Sequence, residues 1–150
     1  MPTNASGQLH TLLGVVALIA GAAIFLRRKG TRSHKAIGRV YVASMLSLNV
    51  TALMLYHLTG RFGPFHVGAI VSGLTVVAGM VPALTRAPKH SWRFFHATFL
   101  SWSYVGLLSA FAAEVATRVP GFHFGTAVMV STLVVTITGA VLIHTRVRPV

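Results

Sequence analysis

The stretch Arg27–Lys35 has the sequence RRKGTRSHK, and five of its nine residues are Lys or Arg. It separates two apolar runs, Leu9–Leu26 and Ile37–Leu58. Each run approaches or exceeds the length of about 20 helical residues that crosses a hydrocarbon core. A basic connector between two such runs predicts a pair of transmembrane helices.

The composition also indicates an integral membrane protein. Of 150 residues, 54% are hydrophobic and only 9% are charged, and the mean hydropathy is +0.73. The formal net charge of +12 does not indicate a nucleic-acid partner, because the basic residues lie in short connectors rather than on one solvated face. Cysteine is absent, which excludes disulfides, thiolate metal sites and a cysteine nucleophile.

Three further apolar segments follow, His66–Leu84, Phe95–Ala116 and Phe124–Ile143. Segments that cross lipid must be helical, since a strand with open edges would leave its amide groups without hydrogen bonds. The connectors are short and contain Gly or Pro, which favours antiparallel neighbours. We therefore expect one all-α domain over residues 1–150, an integral membrane bundle of five transmembrane helices.

The distribution of basic residues predicts how the chain is threaded. Eleven Lys and Arg residues fall in connectors on one side of the five spans, and only Arg61 and Arg118 fall on the other. Because positive loops stay in the cytoplasm, the N-terminus should lie outside and the C-terminus inside a bacterial inner membrane. Anionic lipid headgroups are then the expected partners of the cytoplasmic face. Residues 1–8 carry no Lys or Arg, so a cleaved signal peptide is not expected.

Eight histidines are unusual in a membrane protein, and they fall into two layers at the ends of the predicted spans. Imidazole is a common ligand of haem iron, so the layers predict two haem b sites, or sites for another metal, with His10 and His66 as the first pair to consider. Histidines at headgroup level also need no cofactor, because a half-polar ring is stable there. The cofactor-binding candidates are His10, His57, His66 and His123 in the outer layer and His34, His90 and His96 in the inner layer, where His144 also lies.

Glu114 is the only acidic residue in the chain. It follows His96 by 18 residues, which is five helical turns, so both side chains lie near one helix face. This face would connect the two histidine layers, and Glu114 is a candidate for a proton or ion path. A surface carboxylate beside Arg118 explains the residue equally well.

The histidine spacing also suggests an internal repeat. His10 and His34 are separated by 24 residues, and so are His66 and His90. A tandem two-helix repeat followed by a fifth helix would produce this pattern. Chance among eight histidines would produce it too.

The second apolar run begins with a motif of the form His34-Lys35-x-x-Gly38-Arg39-x-Tyr41. With Leu9-His10, Gly14 and the segment Lys89-His90-x-Trp92-Arg93, this motif resembles an uncharacterised bacterial family of predicted multi-pass membrane proteins, a domain of unknown function. The resemblance covers Leu9–Arg118 and leaves the fifth helix outside. It implies a multi-helix inner-membrane protein and carries no activity with it.

Three functions are compatible with these features. The first is a small haem-b protein that moves electrons between a quinone or partner subunit and an acceptor. The second is a non-catalytic accessory subunit of a larger membrane complex. The third is a proton-coupled or metal-ion transporter that uses Glu114 and the outer histidines. Five helices are few for a transporter, so this function would require a homo-oligomer.

Overall fold

The computed structural model describes residues 5–55, 60–121 and 123–147, and these contain five α-helices and no strand. All five helices are long and apolar enough to cross a membrane. The predictions of an all-α fold and of a multi-pass membrane protein are therefore confirmed. The helices are α1 (Ala5–Phe25), α2 (Arg32–Leu53), α3 (Pro64–Thr85), α4 (Trp92–Ala116) and α5 (Phe124–Arg146).

The chain forms two compact units, Met1–Val76 and Val77–Val150, whose boundary falls inside α3. In the first unit α1 packs against α2, and in the second α4 packs against α5. The site residues described below divide between these units, and each unit is described by itself.

The observed bounds of α2 differ from the predicted span, Ile37–Leu58. The helix begins at Arg32, because the side chain of Thr31 accepts a hydrogen bond of 3.2 Å from the backbone N–H of His34. Several basic side chains of the connector therefore stand on the first turns of a helix. At the other end α2 stops at Leu53. Beyond it the N–H groups of Met54 and Leu55 donate to carbonyls three residues earlier rather than four. Hydropathy alone does not show either boundary.

The connector between α1 and α2 is a hydrogen-bonded turn. The Lys29 ammonium donates to the carbonyl of Ile24 at 2.8 Å and lies 5.4 Å from the centre of the Phe25 ring. The ammonium group is partly buried by these contacts, and its loss of hydration lowers the pKa of Lys29 below its ordinary value. Gly30 follows with φ of +80°, a conformation that glycine adopts without steric cost. The turn returns the chain for α2.

Small residues allow close helix packing in each unit. In the first unit, a Cβ atom on Gly14 would lie 3.7 Å from Leu48. In the second unit, a Cβ atom on Gly139 of α5 would lie 2.7 Å from a methyl group of Val105 in α4, which is too close. Glycine at this position lets the α4 and α5 backbones approach.

Candidate functional site

His10, on the second turn of α1, is held by a residue of α2. Its Nδ1 atom lies 3.0 Å from the hydroxyl oxygen of Thr51. That hydroxyl already donates its hydrogen to the carbonyl of Leu48 at 2.9 Å. Because a hydroxyl has a single hydrogen, Thr51 must accept from His10, and Nδ1 is the protonated nitrogen. In the neutral ring Nε2 then carries the lone pair that can bind a metal or accept a proton.

His66, in the first turn of α3, has the opposite arrangement. Its Nδ1 accepts a hydrogen bond of 3.2 Å from the backbone N–H of Gly63, so in the neutral ring Nε2 carries the hydrogen. The side chain is 3% exposed, and its ring centre lies 5.1 Å from that of Phe62. This geometry is that of a residue that caps the start of a helix. To bind iron through Nε2, His66 would have to release Gly63, and its pairing with His10 at a metal stays a prediction.

His96, in the second turn of α4, is held in the second unit by the backbone of α3. Its Nδ1 lies 2.9 Å from the carbonyl oxygen of Gly79. A carbonyl can only accept, so Nδ1 donates and Nε2 of the neutral ring carries the lone pair. His96 thus repeats the arrangement of His10, with a backbone carbonyl in place of a hydroxyl.

The close approach of α3 and α4 at Gly79 brings the Gly79 carbonyl within reach of His96. A Cβ atom on Gly79 would overlap the end of Leu100 and would lie 3.1 Å from the Cβ of Phe99, so α3 and α4 meet here through the absence of a side chain.

The other candidate histidines are less enclosed. His34 is half-buried at the start of α2, while His90 is exposed in the turn before α4 and His144 is exposed in the last turn of α5. His123 is the exposed N-cap residue of α5, and its side chain makes no capping hydrogen bond to the described part of the chain. His57 lies outside the described residues. Across residues 5–55, 60–121 and 123–147, no three His or acidic side chains gather as a metal site.

Glu114 lies one turn before Arg118 and forms an ion pair with it. The two side chains are 57% and 64% exposed. This is the surface carboxylate that the sequence offered as the alternative to a proton path. The contacts of Glu114 therefore do not support a proton or ion path between the histidine layers. The role of Glu114 in such a path stays a prediction.

Two residues that the sequence did not single out as site residues are Thr51 and Gly79, the acceptors for the two histidines. Thr51 lies in an apolar run, 41 positions after its partner, and no local spacing connects them. It also lines a groove of about 380 Å³ in the first unit, within the range of ligand pockets. The other residues of this groove are Leu9, Leu13, Leu46, Ser47 and Val50.

A model of the family described as Predicted membrane protein (DUF2306) matches residues 7–147 of the chain. No curated protein and no solved structure matches it. The matched region includes α5, so the resemblance extends further than the motifs from Leu9 to Arg118 indicated. The chain belongs to this family of predicted membrane proteins.

Proposed function

We propose that this membrane protein binds haem b and transfers electrons, and that Nε2 of His10 and Nε2 of His96 would hold the iron of two separate haem groups. One observation carries the proposal. Both imidazoles donate Nδ1–H to a defined acceptor, Thr51 for His10 and the Gly79 carbonyl for His96. Histidines that bind metals nearly always have this second hydrogen bond, which fixes the tautomer and raises the basicity of the ligating nitrogen.

In this proposal a second histidine would hold each haem, His57 together with His10 and His90 together with His96. We assign His66 to capping α3, because its Nδ1 is occupied by the Gly63 amide. Haem held by two histidines has no open coordination position, which suits electron transfer rather than oxygen chemistry.

The open groove beside Thr51 offers apolar contact to a cofactor. It is lined mainly by leucine and valine side chains with the hydroxyl groups of Ser47 and Thr51, and His10 is not among its lining residues. A porphyrin ring, or a quinone that exchanges electrons with it, requires such apolar contact with a few polar groups. The proposal includes the predicted inner-membrane location, with the N-terminus outside, so that the two sites lie near opposite membrane surfaces.

The test is a haem titration of the detergent-purified protein, followed by absorbance. His10→Ala and His96→Ala should each remove about half of the bound haem. His144→Ala, which removes an exposed histidine, should leave the haem content unchanged. Equal behaviour of all three variants would contradict the assignment.

A finer comparison tests the role of Thr51. Thr51→Val removes the acceptor of the His10 hydrogen bond with little change of shape, and should weaken haem binding by about 10- to 100-fold. Thr51→Ser keeps the hydroxyl and should bind as the wild type does. A chain that purifies without haem and remains stable only with another membrane protein would favour the accessory-subunit function instead.

A further inference from the structure

Two guanidinium groups, one from the connector between α3 and α4 and one from the first turn of α4, lie against one indole ring. The Arg86 guanidinium carbon lies 4.4 Å from the centre of the Trp92 ring, and that of Arg93 lies 5.3 Å from it. The two cations are therefore no more than about 10 Å apart. Cation–π attraction to Trp92 holds both in place despite their mutual repulsion. We call these three side chains the Arg–Trp–Arg clamp.

The backbone also fixes the position of the clamp. Arg86 has φ of +59°, in the left-handed region that non-glycine residues rarely adopt. Its N–H donates to the Pro82 carbonyl at 2.9 Å, which ends α3. Trp92 is the first residue of α4. The clamp therefore joins the end of one predicted span to the start of the next.

No acidic side chain of this protein can neutralise the clamp. Glu114 is the only Asp or Glu in the sequence, and it is paired with Arg118. It lies 22 residues after Trp92 on the same helix, or about 33 Å along the axis at 1.5 Å per residue. Lys89, between the two arginines in the sequence, adds positive charge rather than removes it. The counter-ion of the clamp is therefore not an Asp or Glu side chain of this protein.

The location of the clamp indicates the chemistry of that counter-ion. Since α3 and α4 are both candidate spans, the connector lies at a membrane surface, and tryptophan is typical of the headgroup level. The anion that occurs there at high local concentration is the phosphate diester of phospholipids. One guanidinium group can donate two parallel hydrogen bonds to two phosphate oxygens. A lysine ammonium cannot reproduce this geometry.

We propose that the Arg–Trp–Arg clamp is a binding site for the phosphate of an anionic phospholipid headgroup. A headgroup that carries its own ammonium group is disfavoured, because Lys89 adds a third positive charge to the short connector between the two arginines. The site depends on residues 86–93 only, and it is independent of haem binding.

The test is lipid binding to the delipidated full-length protein, measured by native mass spectrometry with phosphatidylglycerol and phosphatidylcholine. The protein should prefer phosphatidylglycerol. Arg86→Lys with Arg93→Lys keeps both charges but removes the paired donors and the planar stacking, and should weaken phosphatidylglycerol binding by about 10-fold. The matched control is Arg27→Lys with Arg28→Lys, the same change in another basic connector, which should alter binding less than about 2-fold.

Three results would overturn the proposal. Equal binding by the two double variants, whether weakened or not, would show that the lipid has no preference for the clamp over another basic connector. Equal binding of the two lipids would show that the anionic headgroup is not recognised. Displacement of the lipid by inorganic phosphate at matched concentration would assign the clamp to a soluble anion. Both double variants replace exposed arginines with another cationic residue, so circular dichroism should show unchanged helix content. If helix content falls, lipid binding is measured with the single variants Arg86→Lys and Arg93→Lys instead.

Discussion

Replacing Gly79 with alanine tests the packing that positions His96. The new Cβ would overlap Leu100 and would lie 3.1 Å from the Cβ of Phe99. Rotation of the Leu100 side chain relieves only the first of these contacts, since the Phe99 atom is attached directly to the α4 backbone. The two helices must therefore move apart, at a cost of about 1–3 kcal/mol for overpacking. His96 is one turn before Leu100, so this movement lengthens its bond to the Gly79 carbonyl.

A matched control isolates the overlap. Gly106 lies in α4, and a Cβ added there would meet nothing within 4 Å. Alanine gains about 0.5–1 kcal/mol over glycine in a helix, and both variants share this gain. The difference in unfolding free energy between Gly79→Ala and Gly106→Ala should therefore be about 1–3 kcal/mol.

Two measurements in detergent check this prediction. Thermal unfolding should show a lower midpoint for Gly79→Ala than for Gly106→Ala. Nitrogen-15 NMR of the histidine rings should show a protonated Nδ1 for His96 in the wild type and in Gly106→Ala, and exchange between the two tautomers in Gly79→Ala. Equal midpoints together with an unchanged His96 tautomer would refute the packing argument.

Other substitutions test other contacts. Gly139→Ala should destabilise the packing of α4 on α5 by about 1–3 kcal/mol, because the added methyl meets Val105, and a lower unfolding midpoint would show this. Glu114→Gln should cost less than about 1 kcal/mol, since its ion pair with Arg118 is exposed, and a large loss of stability would contradict a surface role. His66→Ala should cost at least about 1 kcal/mol and speed hydrogen exchange in the turn before α3, whereas unchanged exchange would argue against the capping function.

The sequence predicted the helices well because lipid limits the available structures. A span of about 20 apolar residues must be helical, and short connectors determine the order of the helices. The predicted span began at Ile37, whereas α2 begins at Arg32. Thr31 accepts a capping hydrogen bond from the His34 N–H, and this bond outweighs the polarity of the first turn. The short connectors were expected to turn at Gly or Pro, and the positive φ of Gly30 between α1 and α2 agrees with that expectation.

The candidate site could be predicted only in part. Histidines are rare at membrane depth, so composition drew attention to His10, His66 and His96. Which nitrogen each histidine presents depends on partners distant in the sequence, such as Thr51 for His10 and Gly79 for His96. These partners are an ordinary threonine and an ordinary glycine within apolar runs. The distinction between a ligating and a capping histidine therefore required the three-dimensional structure.

The visible absorption spectrum of the reduced and oxidised protein, purified in detergent from cells supplied with haem precursor, tests the haem proposal most directly. A Soret band and the sharp bands of reduced haem b with two histidine ligands are expected. These bands should be weaker in His10→Ala and in His96→Ala but not in His144→Ala. A purified, folded protein with neither a Soret band nor bound iron would contradict haem binding by this protein.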